Sequence, residues 1–208
     1  LALEAAHKSL ESFPGGVFYI PLAGLTAAGE IVPALAKHIG LRFYEGSDPE
    51  QQLHAHLRSR RALLVFDDFD HLVSAAAFLQ RLLAAAPELK ILVTSRERLN
   101  LIGETVFVLD HLAFPIETGE PGGGIQQKDF AGFGAVQLLV QRALMVRPDF
   151  ELRPEDMADV ARVCRLVQGM PLALVLAAGW LEVLSFREIA DEIAKSLDFL
   201  EGGGRDLP

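Results

Sequence analysis

The chain alternates between short apolar runs and longer segments whose apolar residues recur at helical spacing. The apolar runs cover residues 17–22, 62–68, 90–96 and 106–109. Because they are mostly apolar at successive positions, they are typical of strands buried on both faces of a parallel sheet. Segments with helical spacing lie between them, at residues 1–13, 30–41, 49–60 and 71–87. This alternation predicts an α/β fold with a parallel sheet and helices on both faces.

The pattern changes after residue 114. Residues 115–129 hold four glycines and two prolines, a composition that predicts a linker or a long surface loop. Only helical spacing follows, at residues 131–146, 154–168, 171–184 and 186–198. The sequence therefore predicts an α/β domain over residues 1–114, a linker over 115–129 and a helical domain over 130–200.

Charge and cysteine content limit the binding partners and the cellular compartment that we expect for the chain. The 208 residues include 19 basic and 28 acidic side chains, for a net charge of −9. A chain this acidic is a poor general ligand of nucleic acids or anionic membranes, so we expect neither as a direct partner. The short basic run at residues 58–61 suits the end of a helix and does not change this expectation. A single cysteine, Cys164, predicts a buried thiol and a reducing, cytoplasmic location.

Polar residues directly follow two of the predicted strands. Asp67 and Asp68 end one apolar run, and Thr94, Ser95 and Arg96 end the next. Because the carboxyl ends of parallel strands meet at one edge of a sheet, we expect these side chains to face one crevice. Neighbouring carboxylates repel each other, and Mg²⁺ would relieve that repulsion with the oxygen ligands it prefers. The guanidinium of Arg96 is suited to phosphate.

A simpler role for the acidic residues stays open at this point. A turn from a strand into a helix often places an aspartate at the N-cap, where its carboxylate accepts a backbone N–H. Asp68 or Asp70 could have that role in the helix predicted from residue 71.

Three segments, in this order, carry a resemblance to a known family: "LLVFDDFDHL", "ILVTSRERLNLIGETVFVLDHL" and "VCRLVQGMPLALVLAAGWL". Together they resemble the STAND class of P-loop NTPases, most closely the NB-ARC-related ATPases of bacterial multidomain regulators. The resemblance covers nearly the whole chain. It implies a P-loop NTPase-type sheet followed by a small helical lid, with ATP or ADP and Mg²⁺ as ligands.

The resemblance also implies roles for the residues at the strand ends. Asp67 matches the position that holds Mg²⁺, and Asp68 matches the position that orients the attacking water. Arg96 matches the position that contacts the γ-phosphate, with support from Thr94 or Ser95.

The segment "GMPLAL" resembles the family motif that opens the lid helix. Gly169 would end one helix, and Pro171 would begin the next and pack on the adenine base. The alternative is a plain turn between two helices.

One family motif is missing from this sequence. The phosphate-binding loop, G-x-x-x-x-G-K-[ST], does not occur in it. We expect that loop to precede residue 1, together with a strand that the family places between residues 90–96 and 106–109. Without the loop, the chain alone is expected to bind a triphosphate weakly or not at all and not to hydrolyse it.

These observations predict a nucleotide-dependent switch ATPase module of a multidomain signalling or transcriptional regulator. Its expected partners are nucleotide, other domains of the same polypeptide and further copies of itself. One alternative is a non-catalytic interaction or oligomerisation module with a degenerate nucleotide site. A second is a signalling receiver domain, which the sequence disfavours because we find neither a phosphoacceptor aspartate on a third strand nor a partnering lysine.

Overall fold

A computed structural model describes residues 1–116 and 127–203 of the chain. The chain divides into two compact units, Leu1–Phe107 and Val108–Pro208, which we call the α/β unit and the helical unit. Residues 117–126 of the predicted linker lie outside the described residues.

The α/β unit is built on a parallel sheet. Its strands are β1 (Val17–Pro21), β2 (Leu63–Asp67) and β3 (Lys90–Val93), in the order β1-β2-β3. Both pairings are parallel, with Val17 opposite Leu63 and Leu63 opposite Lys90. The central strand is the most apolar and the most deeply buried of the three. The predicted α/β class with a parallel sheet is therefore confirmed.

Helices cover both faces of this sheet, as predicted. They are α1 (Ala2–Lys8), α2 (Ile31–Ile39), α3 (Pro49–Leu57) and α4 (Ala76–Ala85), with 3₁₀ helices at Leu10–Ser12, Ala28–Glu30 and Asp70–Ala75. Successive residues of a strand point to opposite faces. On β2, Leu63 and Val65 accordingly pack with Ala6 of α1, whereas Leu64 and Phe66 pack in the larger core with α2, α3 and α4.

The predicted fourth strand is wrong. Residues 106–109 form no strand, and Phe107 is 84% exposed. Within the described residues β3 pairs only with β2, so residues 106–109 have no neighbouring strand to exchange backbone hydrogen bonds with. An apolar run becomes a strand only where a neighbour satisfies its backbone groups, and the run itself does not supply that neighbour.

The helical unit contains the helices predicted after residue 130, each somewhat shorter than predicted. Its α-helices are α5 (Gln127–Phe130), α6 (Gly134–Val146), α7 (Met157–Leu166), α8 (Pro171–Gly179) and α9 (Phe186–Lys195), with 3₁₀ helices at Pro154–Asp156, Trp180–Glu182 and Leu197–Gly203. These helices enclose their own apolar core. Cys164 lies fully buried in it, as predicted, and burial raises the pKa of its thiol to about 12.

None of the helices in residues 1–116 and 127–203 has the length and apolar character required to cross a membrane.

Candidate functional site

A shallow polar depression lies at the carboxyl ends of β2 and β3. Its lining consists of acidic, hydroxyl and guanidinium residues: Asp67, Asp68, Asp70, Thr94, Ser95 and Arg96. The five residues that the sequence placed at these two strand ends thus lie together, as the parallel topology requires. Asp70 joins them, although the sequence offered it only as a helix cap.

Asp67 is held in place from both neighbouring strands. The Tyr19 hydroxyl on β1 donates to Asp67 Oδ2 at 2.6 Å, and the Thr94 hydroxyl beyond β3 donates to Oδ1 at 2.7 Å. The hydrogen bond from Tyr19, followed by that from Thr94, lowers the pKa of the Asp67 carboxyl, although its partial burial acts in the opposite direction. Asp67 is therefore an anion at neutral pH, fixed in orientation by two neutral donors.

Thr94 also fixes the turn that follows β2. Its hydroxyl accepts the Asp68 N–H at 2.9 Å, and its carbonyl accepts the Phe69 N–H at 3.0 Å. Asp68 has a left-handed backbone with φ of 64°, a conformation that aspartate tolerates better than most residues. Its side chain is exposed at the depression.

Arg96 and Asp70 form a second polar pair at the rim. The Arg96 backbone N–H donates to Asp70 Oδ1, and the Arg96 Nε lies 3.4 Å from Asp70 Oδ2. The backbone hydrogen bond from Arg96 is the main cause that lowers the pKa of the Asp70 carboxyl. The Arg96 side chain is 92% exposed, so most of its donors face solvent.

The N-cap alternative for the two aspartates is wrong. Phe69 occupies the N-cap of the helix Asp70–Ala75, and no side chain caps that helix. The Asp70 carboxylate instead bonds across to Arg96, and the left-handed backbone of Asp68 is unlike the extended conformation of an N-cap residue.

Gly169 and Pro171 belong to the helical unit. Gly169 has φ of 66° in the turn between α7 and α8, and its carbonyl accepts the Leu112 N–H at 3.0 Å. Pro171 is the first residue of α8 and is exposed. The residues therefore form the helix–helix turn that both sequence interpretations required, and a ligand contact by Pro171 stays a prediction.

Sequence reasoning missed the contribution of Tyr19. A signal was present, because a tyrosine within an otherwise apolar strand needs a hydrogen-bond partner for its hydroxyl. The register of β1 against β2 then places that hydroxyl within reach of Asp67. Knowing the neighbouring strand was necessary to identify the partner.

The donors of the depression fit a particular kind of cation site. Each Asp67 oxygen accepts one hydrogen bond and keeps further acceptor capacity. Within the described residues, no three acidic, histidine or cysteine side chains are grouped so that they could hold a metal by themselves. The arrangement therefore fits Mg²⁺, which commonly binds one or two carboxylates and takes its remaining ligands from water and phosphate.

Removing either donor to Asp67 is expected to destabilise the chain. Tyr19→Phe or Thr94→Val should each cost about 1.5–3 kcal/mol at neutral pH, the range for hydrogen bonds to charged groups. Because the folded-state pKa of Asp67 is lowered, this contribution is present above the unfolded pKa of about 3.9 and is lost as pH falls through the folded value.

Urea unfolding at neutral and acidic pH measures this effect. Tyr44→Phe is the matched control, because Tyr44 is exposed and neither of its hydrogen bonds in the described residues uses the hydroxyl. An equal decrease in the free energy of unfolding for Tyr19→Phe and Tyr44→Phe would contradict the expected result.

Comparisons with known proteins bear on function. No protein-family model matches the chain. A protein of Mycobacterium bovis that carries the provisional name of an HTH-type transcriptional regulator is 32% identical over 206 residues, which are 99% of this chain and 21% of that protein. A Mycobacterium tuberculosis protein with the same provisional name has the same identity and coverage. An uncharacterized protein of M. tuberculosis is 30% identical over 190 residues, 91% of this chain and 44% of its own length.

These relatives correct two predictions. The predicted nucleotide-dependent switch ATPase, with its alternative of a non-catalytic interaction module, is wrong, because the 32% identical relatives carry the provisional name of HTH-type transcriptional regulators. The predicted exclusion of nucleic acid as a direct partner is wrong for the same reason. The broader expectation of a regulator is compatible with their names. The chain spans about a fifth of the length of the relatives named as regulators and less than half of the length of the uncharacterized one.

Proposed function

We propose that the chain is part of a DNA-binding transcriptional regulator. The observation that carries this proposal is the 32% identity, over 206 residues, to relatives provisionally named as HTH-type transcriptional regulators. A helix-turn-helix motif binds DNA by placing its second helix in the major groove. Because the chain corresponds to 21% of those relatives, DNA recognition by the complete protein is the property proposed.

The chain does contain two helices joined by a short turn, α7 and α8. The turn at residues 167–170 includes Gly169 and has the length found in helix-turn-helix motifs. However, α8 reads PLALVLAAG and carries no polar or basic side chain. Base edges are read mainly by hydrogen bonds from such side chains, so we do not assign base recognition to α8.

The test of this proposal uses the polypeptide encoded by the complete reading frame. Selection from a library of random DNA duplexes at physiological ionic strength is expected to enrich a defined sequence, and the enriched duplex should bind more tightly than a scrambled one. Failure to enrich any sequence, with the polypeptide shown to be folded, would refute the proposed function.

We further propose that the polar depression is a ligand site of this regulator. Its ligand is Mg²⁺ together with the phosphates of ATP or ADP, and the proposal concerns binding alone. Asp67, oriented by Thr94, would hold the cation, and the exposed Arg96 would bind phosphate with support from Thr94 or Ser95. A bound Mg²⁺ would neutralise charge on the phosphates. Membership of the STAND class, with a P-loop-type sheet and an adenine contact at Pro171, is part of this second proposal.

Asp67→Asn is expected to abolish the increase in ADP affinity that Mg²⁺ produces in the complete polypeptide. The substitution keeps the size of the side chain but removes the charge that a divalent cation requires. Calorimetric titration of ADP with and without Mg²⁺ measures the difference. Asp48→Asn is the matched control, since Asp48 is exposed at the start of α3 and outside the depression. Equal Mg²⁺ dependence in both variants would refute the assignment.

A further inference from the structure

Basic residues collect at the edge of the sheet opposite the polar depression. Arg60 and Arg61 come just before β2, and Lys90 is the first residue of β3. The Lys90 N–H donates to the Ala62 carbonyl at 2.9 Å, which fixes the two strand starts side by side. Arg58 follows the last residue of α3, one turn before Arg61. We call Arg58, Arg60, Arg61 and Lys90 the basic edge.

The residues of the basic edge form no ion pair in the described parts of the chain. Ion pairs there join other cations to carboxylates, such as Arg81 to Glu50 and Arg162 to Asp191. None of them includes a residue of the basic edge. Glu88, in the turn before β3, is the nearest acidic residue in sequence to Lys90 and is likewise in none of these ion pairs. In the described residues the cationic side chains of the basic edge are therefore not held in ion pairs.

The backbone beneath these charges is closely packed. The Gly15 N–H donates to the Arg61 carbonyl at 3.0 Å, and a Cβ on Gly15 would lie only 2.8 Å from that oxygen. The Arg60 N–H donates to the Leu57 carbonyl at 3.0 Å and closes the end of α3. The half-buried His56 lies near this charge. Burial lowers the pKa of its imidazole, and the Arg60 guanidinium lowers it further. Rigid placement reduces the entropy lost when a partner binds.

The negative net charge of the whole chain is unevenly divided between its two units. Residues 1–107 hold 12 acidic and 10 basic side chains, whereas residues 108–208 hold 16 acidic and 9 basic ones. Most of the excess negative charge therefore belongs to the helical unit. Within the α/β unit, three carboxylates lie together at the carboxyl ends of the strands, away from the basic edge. A polyanion that approaches the amino ends of the strands therefore does not meet these three carboxylates.

We propose that the basic edge contacts the phosphate backbone of the DNA that the regulator binds. This inference rests on the proposed function and adds where in this chain the DNA is touched. Arginine and lysine contacts to phosphate supply affinity and orientation without reading sequence. The binding partner is therefore the sugar–phosphate backbone of a duplex, and sequence selection belongs to other parts of the regulator.

The diagnostic is the salt dependence of DNA binding by the complete polypeptide. Each phosphate contact adds about 0.9 to the slope of log K against log salt concentration. Replacing Arg58, Arg60 and Arg61 by glutamine should lower that slope by up to about 2.7 and weaken binding to all duplexes alike. Replacing the same three residues by lysine keeps the charges and should leave the slope near its original value.

A control variant changes the net charge equally at another place. Arg142, Arg147 and Arg187 are exposed arginines of the helical unit, and their replacement by glutamine should leave the slope unchanged. Urea unfolding of every variant shows whether the fold is kept. Binding is measured by fluorescence anisotropy on the selected duplex and on a scrambled duplex.

The possible outcomes distinguish failure of the proposed DNA-binding function from failure of the inference about the basic edge. If the original polypeptide binds no duplex, the proposed function fails and this inference fails with it. If it binds but the glutamine variant keeps the slope of the control, the basic edge does not touch DNA while the proposed function stands. If an acidic polypeptide occupies the basic edge and duplex DNA does not displace it, the edge is a protein-docking surface and the inference is overturned.

Discussion

Gly169→Ala is expected to destabilise the helical unit by about 3 kcal/mol or more. Gly169 has φ of 66°, where an L-residue with a Cβ is strained by about 1–2 kcal/mol. A Cβ there would also lie 2.1 Å from the Leu112 carbonyl oxygen, so the backbone itself must move. That movement disrupts the hydrogen bond from the Leu112 N–H to the Gly169 carbonyl, at a further cost of about 1 kcal/mol.

Gly40→Ala separates the two causes of this loss. Gly40 has φ of 73° at the end of α2, but a Cβ there would meet nothing within 4 Å. It therefore carries the left-handed strain without the collision and should cost about 1–2 kcal/mol. Urea unfolding with hydrogen exchange, read separately for the two units, measures both variants. Similar losses in the two variants would show that the contact with Leu112 does not constrain Gly169.

The sequence predicted β1, β2 and β3 because each run is apolar at successive positions, and a strand covered on both faces has that composition. The same reasoning failed for residues 106–109, which are apolar but have no neighbouring strand in the described part of the chain. Strand formation depends on a partner that is distant in the sequence. The positions of the helices were predicted more consistently, because the backbone hydrogen bonds of a helix join residues that are close in the sequence.

The residues that line the polar depression could also be predicted from the sequence. Once two apolar runs are parallel neighbours, the residues that follow them, Asp67 and Thr94 among them, must share an edge. The direction of each side chain was not within reach. Whether Asp70 would cap a helix or bond to Arg96 depends on loop geometry, and so does the contact of Tyr19 with Asp67.

The exclusion of nucleic acid failed for a different physical reason. Net charge averages over a molecule, whereas a polyanion responds to the local potential at the surface it approaches. Arg58, Arg60 and Arg61 lie within four consecutive residues, and the pairing of β2 with β3 places Lys90 beside them. Only the fold shows that three carboxylates of the same unit, Asp67, Asp68 and Asp70, lie together at the other end of the strands.

Phe69→Ala is expected to destabilise the α/β unit by about 3–5 kcal/mol, the usual cost of removing a buried phenyl ring. Phe69 lies between the exposed Asp68 and the partly buried Asp70, yet its own side chain is fully buried in the larger core. Its ring meets that of Phe66 edge to face, with centroids 6.2 Å apart. Loss of the ring should free the turn that carries the carboxylates, so the pKa of Asp67 should move up towards its ordinary value.

Two further variants show whether burial of this ring causes the effect. Phe69→Leu keeps most of the apolar volume and should cost less than half as much as alanine. Phe107→Ala removes the same ring from an 84% exposed position and should change the free energy of unfolding by less than about 0.5 kcal/mol. Urea unfolding gives the energies, and NMR titration of the Asp67 carboxyl gives its pKa. A Phe69→Ala chain as stable as Phe107→Ala would mean that the acidic turn is not anchored in the core, and the rigid orientation of the depression would then rest on Tyr19 and Thr94 alone.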